Sequence, residues 1–214
     1  MPGSSQVSSK ARHAGGKPLP AALGFRAHSG WAAAVVLGGS VKSPSVLSRS
    51  RVELIEGGTP KQPYHASEGL QLAQAEAIIM RSIGVATGLA GEALRSLIAH
   101  LDEQGYALSG CGVLQASGRS LPGLAQVLAS HALIHTAEGQ LFRDALAVAS
   151  EQQGLAVLRV KEKDLYAKAA EHLRLPFDQV TSRVAALGKP LGPPWGQDEK
   201  CAALIAWMAL PAHA

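Results

Sequence analysis

The stretch AALGFRAHSGWAAAVVLGG (residues 21–39) is two apolar runs that meet at His28-Ser29-Gly30. Gly30 can supply the positive φ of a tight turn, so the spacing predicts an antiparallel hairpin. Immediately downstream, SVLSRSRVELIE (45–56) sets Ser48, Ser50, Val52 and Leu54 against Arg49, Arg51 and Glu53. This alternation predicts a third strand with one charged face. Three meandering antiparallel strands therefore open the fold.

Residues 56–69 are rich in turn formers, and Pro60 and Pro63 restrict the backbone around Tyr64 and His65. From Leu70 to Gln104 the period becomes helical, with Leu72, Ala75, Ile79, Ile83 and Ala86 on one face. Gly84, Gly88 and Gly91 weaken that helix by about 1 kcal/mol each relative to alanine, a cost that close helix–sheet packing would explain. ALSGCGVLQ (107–115) reads as a buried strand, and residues 121–149 are helix-compatible. LAVLRV (155–160) reads as the last strand, followed by a helical segment at 161–187 that breaks at Leu175-Pro176. After the loop GKPLGPPWG (188–196), the terminal helix QDEKCAALIAWMAL (197–210) carries Asp198 and Glu199 in its first turn, where carboxylates complement the helix dipole. The order is β-β-β-α-β-α-β-α-α.

A chain of 214 residues that is 47% hydrophobic but only 4% aromatic is expected to bury one core of closely packed small aliphatic side chains. Three of its four net positive charges come from Lys10, Arg12 and Lys17 in an acid-free N-terminal stretch. Residues 1–19 are accordingly expected to form a disordered basic tail, and residues 20–214 a single, nearly neutral domain. Near-neutrality argues against a broad phosphate-tracking surface and leaves room for a local basic cleft. Cys111 and Cys201 lack any metal-ligand spacing and suggest free thiols. The N-terminal stretch lacks the apolar segment of a secretory leader and no run approaches about 20 apolar residues, so the expected setting is the cytoplasm, without membrane association.

The element order is that of the ribonuclease H-like fold, and three segments resemble the RuvC-type resolvase branch. These are the hairpin at 21–39, the stretch LAQVLASHALIHTAEGQLFRDALAVASEQQGLAVLRVKEKDLYAKAA (124–170), and the terminal helix. The resemblance spans nearly all of residues 20–210. It implies a five-stranded mixed α/β sheet, three antiparallel strands first, with helices on both faces. It also implies two divalent metal ions held by acids from the first strand, the fourth strand and the last helix. Here the first-strand position is Arg26, the fourth strand ends in Val113-Leu114, and in the last helix only Glu199 matches, the next expected acid falling at Ala202. A cation at Arg26 opposes Mg²⁺, which argues for a degenerate nuclease and leaves metal-independent phosphodiester chemistry open.

The resemblance gathers Arg26, His28, Ser29, Trp31, His131, His135, Glu138 and Glu199 into one cleft, joined by Arg51 and His65. His131, His135 and Glu138 stand at i, i+4 and i+7, within about 60° of one another on a helix. Three readings of that stripe stand open: a transition-metal site for Zn²⁺, Mn²⁺ or Fe²⁺, a metal-free acid–base or anion site, or hydrogen-bonded core histidines. The expectation adopted is no cofactor. His28, His131, His135 and Glu138 are then the candidate catalytic groups, while Arg26, Ser29, Trp31, Arg51, His65 and Glu199 bind a phosphate-bearing ligand such as a nucleic acid or nucleotide. Glu138 or Glu199 is the expected internal partner of Arg26, and Arg49 is assigned to a solvated face. The competing reading is a non-catalytic scaffold that uses the fold for partner binding or as a homo-oligomer.

Overall fold

A computed structural model describes residues 17–116 and 120–212; the expected tail lies outside the described residues up to position 16. The first strand already begins at Leu19, whose N–H donates to the Gly105 carbonyl at 2.9 Å. The opening meander is present as β1 (Leu19–His28), β2 (Trp31–Ser40) and β3 (Ser43–Glu53). Gly30 turns the first hairpin at φ 82°. A short helix α1 (Pro63–Ala66) and the long helix α2 (Leu72–Glu103) precede β4 (Tyr106–Gln115). Then follow α3 (Leu124–Leu128), α4 (His131–Gln152) and β5 (Ala156–Lys161). A 3₁₀ turn at Glu162–Asp164 leads to α5 (Leu165–Leu173), α6 (Phe177–Leu187) and α7 (Gln197–Ala209).

The five strands run in the order β3-β2-β1-β4-β5. β1–β2 and β2–β3 pair antiparallel, and β1–β4 and β4–β5 pair parallel, which is the mixed sheet expected. Period-two alternation divides the core between the two faces. Leu23, Phe25 and Val113 turn toward α2 and α4, where Leu94, Phe142 and Leu146 meet them. Ala22, Val35 and Leu37 turn toward α7, where Leu204, Ile205 and Trp207 are buried together with Leu165 of α5 and Val180 of α6.

Close packing through glycine occurs, but not where expected. A Cβ built on Gly24 of β1 would collide with the Ala202 carbonyl oxygen and lie 2.7 Å from the Ala206 nitrogen, and one on Gly112 of β4 would lie 2.9 Å from the Ile205 carbonyl. Strand glycines thus let α7 lie directly on the sheet, whereas Gly84 and Gly88 of α2 face open space. Leu72, expected on the buried face, is also exposed, because the face that packs runs through Ala75, Ile79, Ser82, Ala86 and Ala90. By length and composition α2 could cross a bilayer, contrary to the reading of the sequence as lacking such a run, though the same helix supplies this core face.

The helix expected at 121–149 is two helices. Ser130 is extended (φ −138°, ψ 111°) and α4 starts anew at His131, with no capping hydrogen bond from the serine side chain. Arg49 does not face open solvent. Its guanidinium donates to the carbonyls of Gly192 at 2.8 Å and Pro193 at 2.9 Å, and also to Pro194, tying β3 to the loop before α7.

Candidate functional site

The residues expected in one cleft fall into two groups, and no hydrogen bond, ion pair or ring contact joins them among the described residues. Their separation follows from strand alternation. Arg26 and His28 point to the α7 side of the sheet, and α4 packs on the opposite side, against Leu23 and Phe25.

The first group lies where β1 ends against the start of α7. Arg26 donates through Nε and Nη2 to Glu162 Oε1, at 3.2 and 2.7 Å, and through Nη1 to Asp198 Oδ1. His28 Nε2 lies 3.0 Å from the same Asp198 oxygen. Burial lowers the pKa of Arg26, but its bonds to Glu162 and Asp198 together outweigh that and hold the guanidinium more firmly charged than usual. Burial likewise raises the pKa of Asp198, and its bonds to His28 and Arg26 reverse the sign, leaving it below the ordinary carboxylate value. The expected partners Glu138 and Glu199 play no part. Glu138 is on the other side of the sheet, and Glu199 accepts the Gly196 N–H at 2.8 Å, capping its own helix.

Beside this network stands a stack. His28 and Trp31, opposite each other in the hairpin register, have ring centroids 4.3 Å apart and planes 13° from parallel. The Arg51 guanidinium sits 4.0 Å from the Trp31 ring centroid, and its Nε also pairs with Glu53. Trp31 is half-buried and Arg51 exposed, so the stack has both a packed side and a wet one. Ser29 is exposed at the turn and makes no side-chain hydrogen bond among the described residues.

The sequence reading missed three residues. Glu162 falls inside the segment expected to be helical from position 161, although it follows a parallel strand at its C-terminal end, where open α/β sheets place ligands. In the sequence Asp198 is marked only by its place in the first turn of the last helix. Arg143, on α4, is half-buried and has no hydrogen-bond or ion-pair partner among the described residues. Burial pushes its pKa down; Glu162 and Asp144 oppose that shift and Arg26 adds to it, so Arg143 is near enough to sense the first group's charges. No sequence pattern singles it out, apart from Gly139 one turn earlier, where any Cβ would lie 2.6 Å from the Arg143 Nη1.

The second group lies at the N-terminal end of α4. Of the His131, His135 and Glu138 stripe, only Glu138 is buried; the two histidines are exposed. Phe142 and Leu146, further along the same side of α4, are buried, so the two histidines are exposed by their place in the first turns of the helix rather than by facing away from the core. The third histidine comes from α1. His65 donates its backbone N–H to Glu138 Oε1 at 2.9 Å, and its Nδ1 lies 3.2 Å from the same oxygen. Burial pushes the Glu138 carboxyl above its ordinary pKa, and the contacts with His65 offset this only in part.

No protein-family model matches the sequence, and no curated protein matches it. Among solved structures, the chain is similar to a Thermus thermophilus RuvC structure, with 15% identity and a TM-score of 0.50 over 89% of this chain and 92% of the other. A second similar structure is T. thermophilus RuvC in complex with a Holliday junction substrate, with 14% identity and a TM-score of 0.50 over 89% and 91%. At such low identity the likeness shows the fold, which is ribonuclease H-like.

The pair of divalent ions that this fold family implies does not fit these residues. Arg26 occupies the first-strand position, Val113 and Leu114 at the end of β4 are buried and apolar, and Glu199 is spent on Gly196. The acids that do reach the place, Asp198 and Glu162, are already bonded to a guanidinium that does not deprotonate.

Proposed function

We propose that this chain is a nucleic-acid-binding member of the ribonuclease H-like fold, a degenerate nuclease whose cleft grips a strand without the two-metal centre. The observation that carries this reading is the His28–Trp31–Arg51 stack beside the Arg26 carboxylate network. His28 and Arg51 flank Trp31, so a base would stack on an end of this column, on the outer face of the Arg51 guanidinium or of the His28 ring, and the cation adds attraction to phosphate. Arg143, which makes no hydrogen bond or ion pair among the described residues, is the second phosphate contact. Arg26 serves here as an internal strut, since its two carboxylates leave it little capacity for an external anion. The solved relative bound to a Holliday junction makes branched DNA the first ligand to try.

The test is fluorescence anisotropy with a labelled Holliday junction and a labelled single strand. Trp31→Ala, which removes the middle of the column that holds His28 and Arg51 in place, should weaken binding by about 1–3 kcal/mol, the worth of one stacked base. Arg143→Ala should reduce the salt dependence by about one ion, whereas Arg81→Ala, on the exposed side of α2, should change nothing. Equal behaviour of all three variants would refute the reading.

The second reading, self-association on this scaffold, is favoured by the outward face of α2. Leu72 and Met80 are 48% and 59% exposed there, and Gly84 and Gly88 face open space along the same helix. Light scattering of the wild type and Met80→Glu tests it, a dimer that dissociates in the variant being the supporting result.

A further inference from the structure

We infer that His65, His131 and His135 form a binding site for a divalent transition metal of the zinc class. It lies at the N-terminal end of α4, across the sheet from the Arg26 network and the His28–Trp31–Arg51 stack, and shares no residue with the proposed strand-binding cleft. A ring nitrogen from each of the three residues lies within 4.8 Å of the other two, and Nε2 of His131 and of His135 are 3.0 Å apart. Tetrahedral Zn–N bonds of about 2.0–2.1 Å require nitrogens roughly 3.4 Å apart, so closing the site needs only side-chain adjustments. The three rings meet edge to face, at 63° to 85° between planes, so their nitrogens converge without the rings blocking one another.

Glu138 makes this arrangement more than a surface cluster. Its side chain is 3% exposed, its Oε1 holds His65 through both the backbone N–H and Nδ1, and its Oε2 is buried without a partner. With Nδ1 held by the carboxylate, Nε2 is the nitrogen of His65 left to ligate. A carboxylate behind a ligating imidazole fixes its orientation and tautomer, and the metal in turn supplies positive charge to a carboxylate that lacks a Lys or Arg partner. Three imidazoles suit zinc, cobalt or nickel better than magnesium or calcium. His131 and His135 are exposed, so the fourth position is open to water. The i, i+4 spacing of the two helical histidines was visible in the sequence; His65 was expected in the same cleft, but its place as the third ligand depends on α1 packing against Glu138, 73 positions on.

The experiment uses tag-free, full-length protein, stripped with chelator. It is titrated with ZnCl₂ by calorimetry and with CoCl₂ by visible absorption. One equivalent should bind, with the intense ligand-field bands of four-coordinate cobalt. His65→Ala and His135→Ala should abolish stoichiometric binding, and Glu138→Gln should weaken it about 10- to 100-fold. His131 and His135 are exposed, so the double variant His131→Ala/His135→Ala should keep the wild-type circular dichroism and melting without metal. Absence of binding to the wild type, or retention of full affinity in that folded double variant, would overturn the proposal.

Discussion

Arg26 on β1 donates to Asp198 on α7 across 172 positions of sequence, and the same guanidinium reaches Glu162 at the end of β5. One side chain thus ties together three elements at the point where the sheet meets its central helix.

Breaking this tie should be costly. Arg26→Met leaves two carboxylates in a part-buried site without their cation, and we expect a loss of about 2–3 kcal/mol in urea denaturation. In double-mutant cycles, Arg26 with Asp198 should couple more strongly than Arg51 with Glu53, whose side chains are 55% and 57% exposed and should give under about 1 kcal/mol. Similar coupling in both cycles would mean that the network contributes little.

The Asp198 contribution has a definite pH signature. Its folded-state pKa is depressed, so the stabilisation is complete above the ordinary value of 3.8 and fades as pH falls through the lower folded value. The melting-temperature gap between wild type and Asp198→Asn should therefore shrink as the pH falls below about 4. A gap that widens on acidification would contradict the sign.

Much of the fold was legible because its signals are local. The hairpin at 21–39, the alternation of 45–56 and the long helical period after Leu70 each reflect whether side chains face core or solvent over a few residues. What the sequence hid was long-range. Arg26 could be seen to need an anion, but which carboxylate meets it depends on where β5 and α7 end. The single cleft came apart for a related reason, since a helical stripe such as His131, His135 and Glu138 says which residues are neighbours but not which sheet face the helix covers. The glycines taught the same lesson, being identical in sequence and opposite in environment.

That contrast is measurable. Gly24→Ala should destabilise by at least about 1–3 kcal/mol, because the new methyl meets the backbone of Ala202 and Ala206. Gly84→Ala, in an exposed helix interior with open space around it, should stabilise by roughly 0.5–1 kcal/mol. Chemical denaturation of the two variants reads both signs.

Both cysteines should be silent toward thiol reagents in the folded protein. Cys111 and Cys201 are free and buried in cores on opposite faces of the sheet, and burial pushes the Cys111 thiol up to about 12. Ellman's reagent should find two thiols only after denaturation; rapid labelling of the native protein would show that one of the two cores opens readily.

Central to the proposed function is a nucleic-acid cleft in which the Arg26–Asp198–Glu162 network stands in place of a two-metal centre. Its most direct test is Holliday-junction binding and cleavage by the wild type, measured side by side in excess Mg²⁺ and in excess EDTA at matched ionic strength. The account predicts the same affinity in both conditions and no Mg²⁺-dependent cleavage. Binding that requires Mg²⁺, or cleavage that appears with it, would contradict the claim.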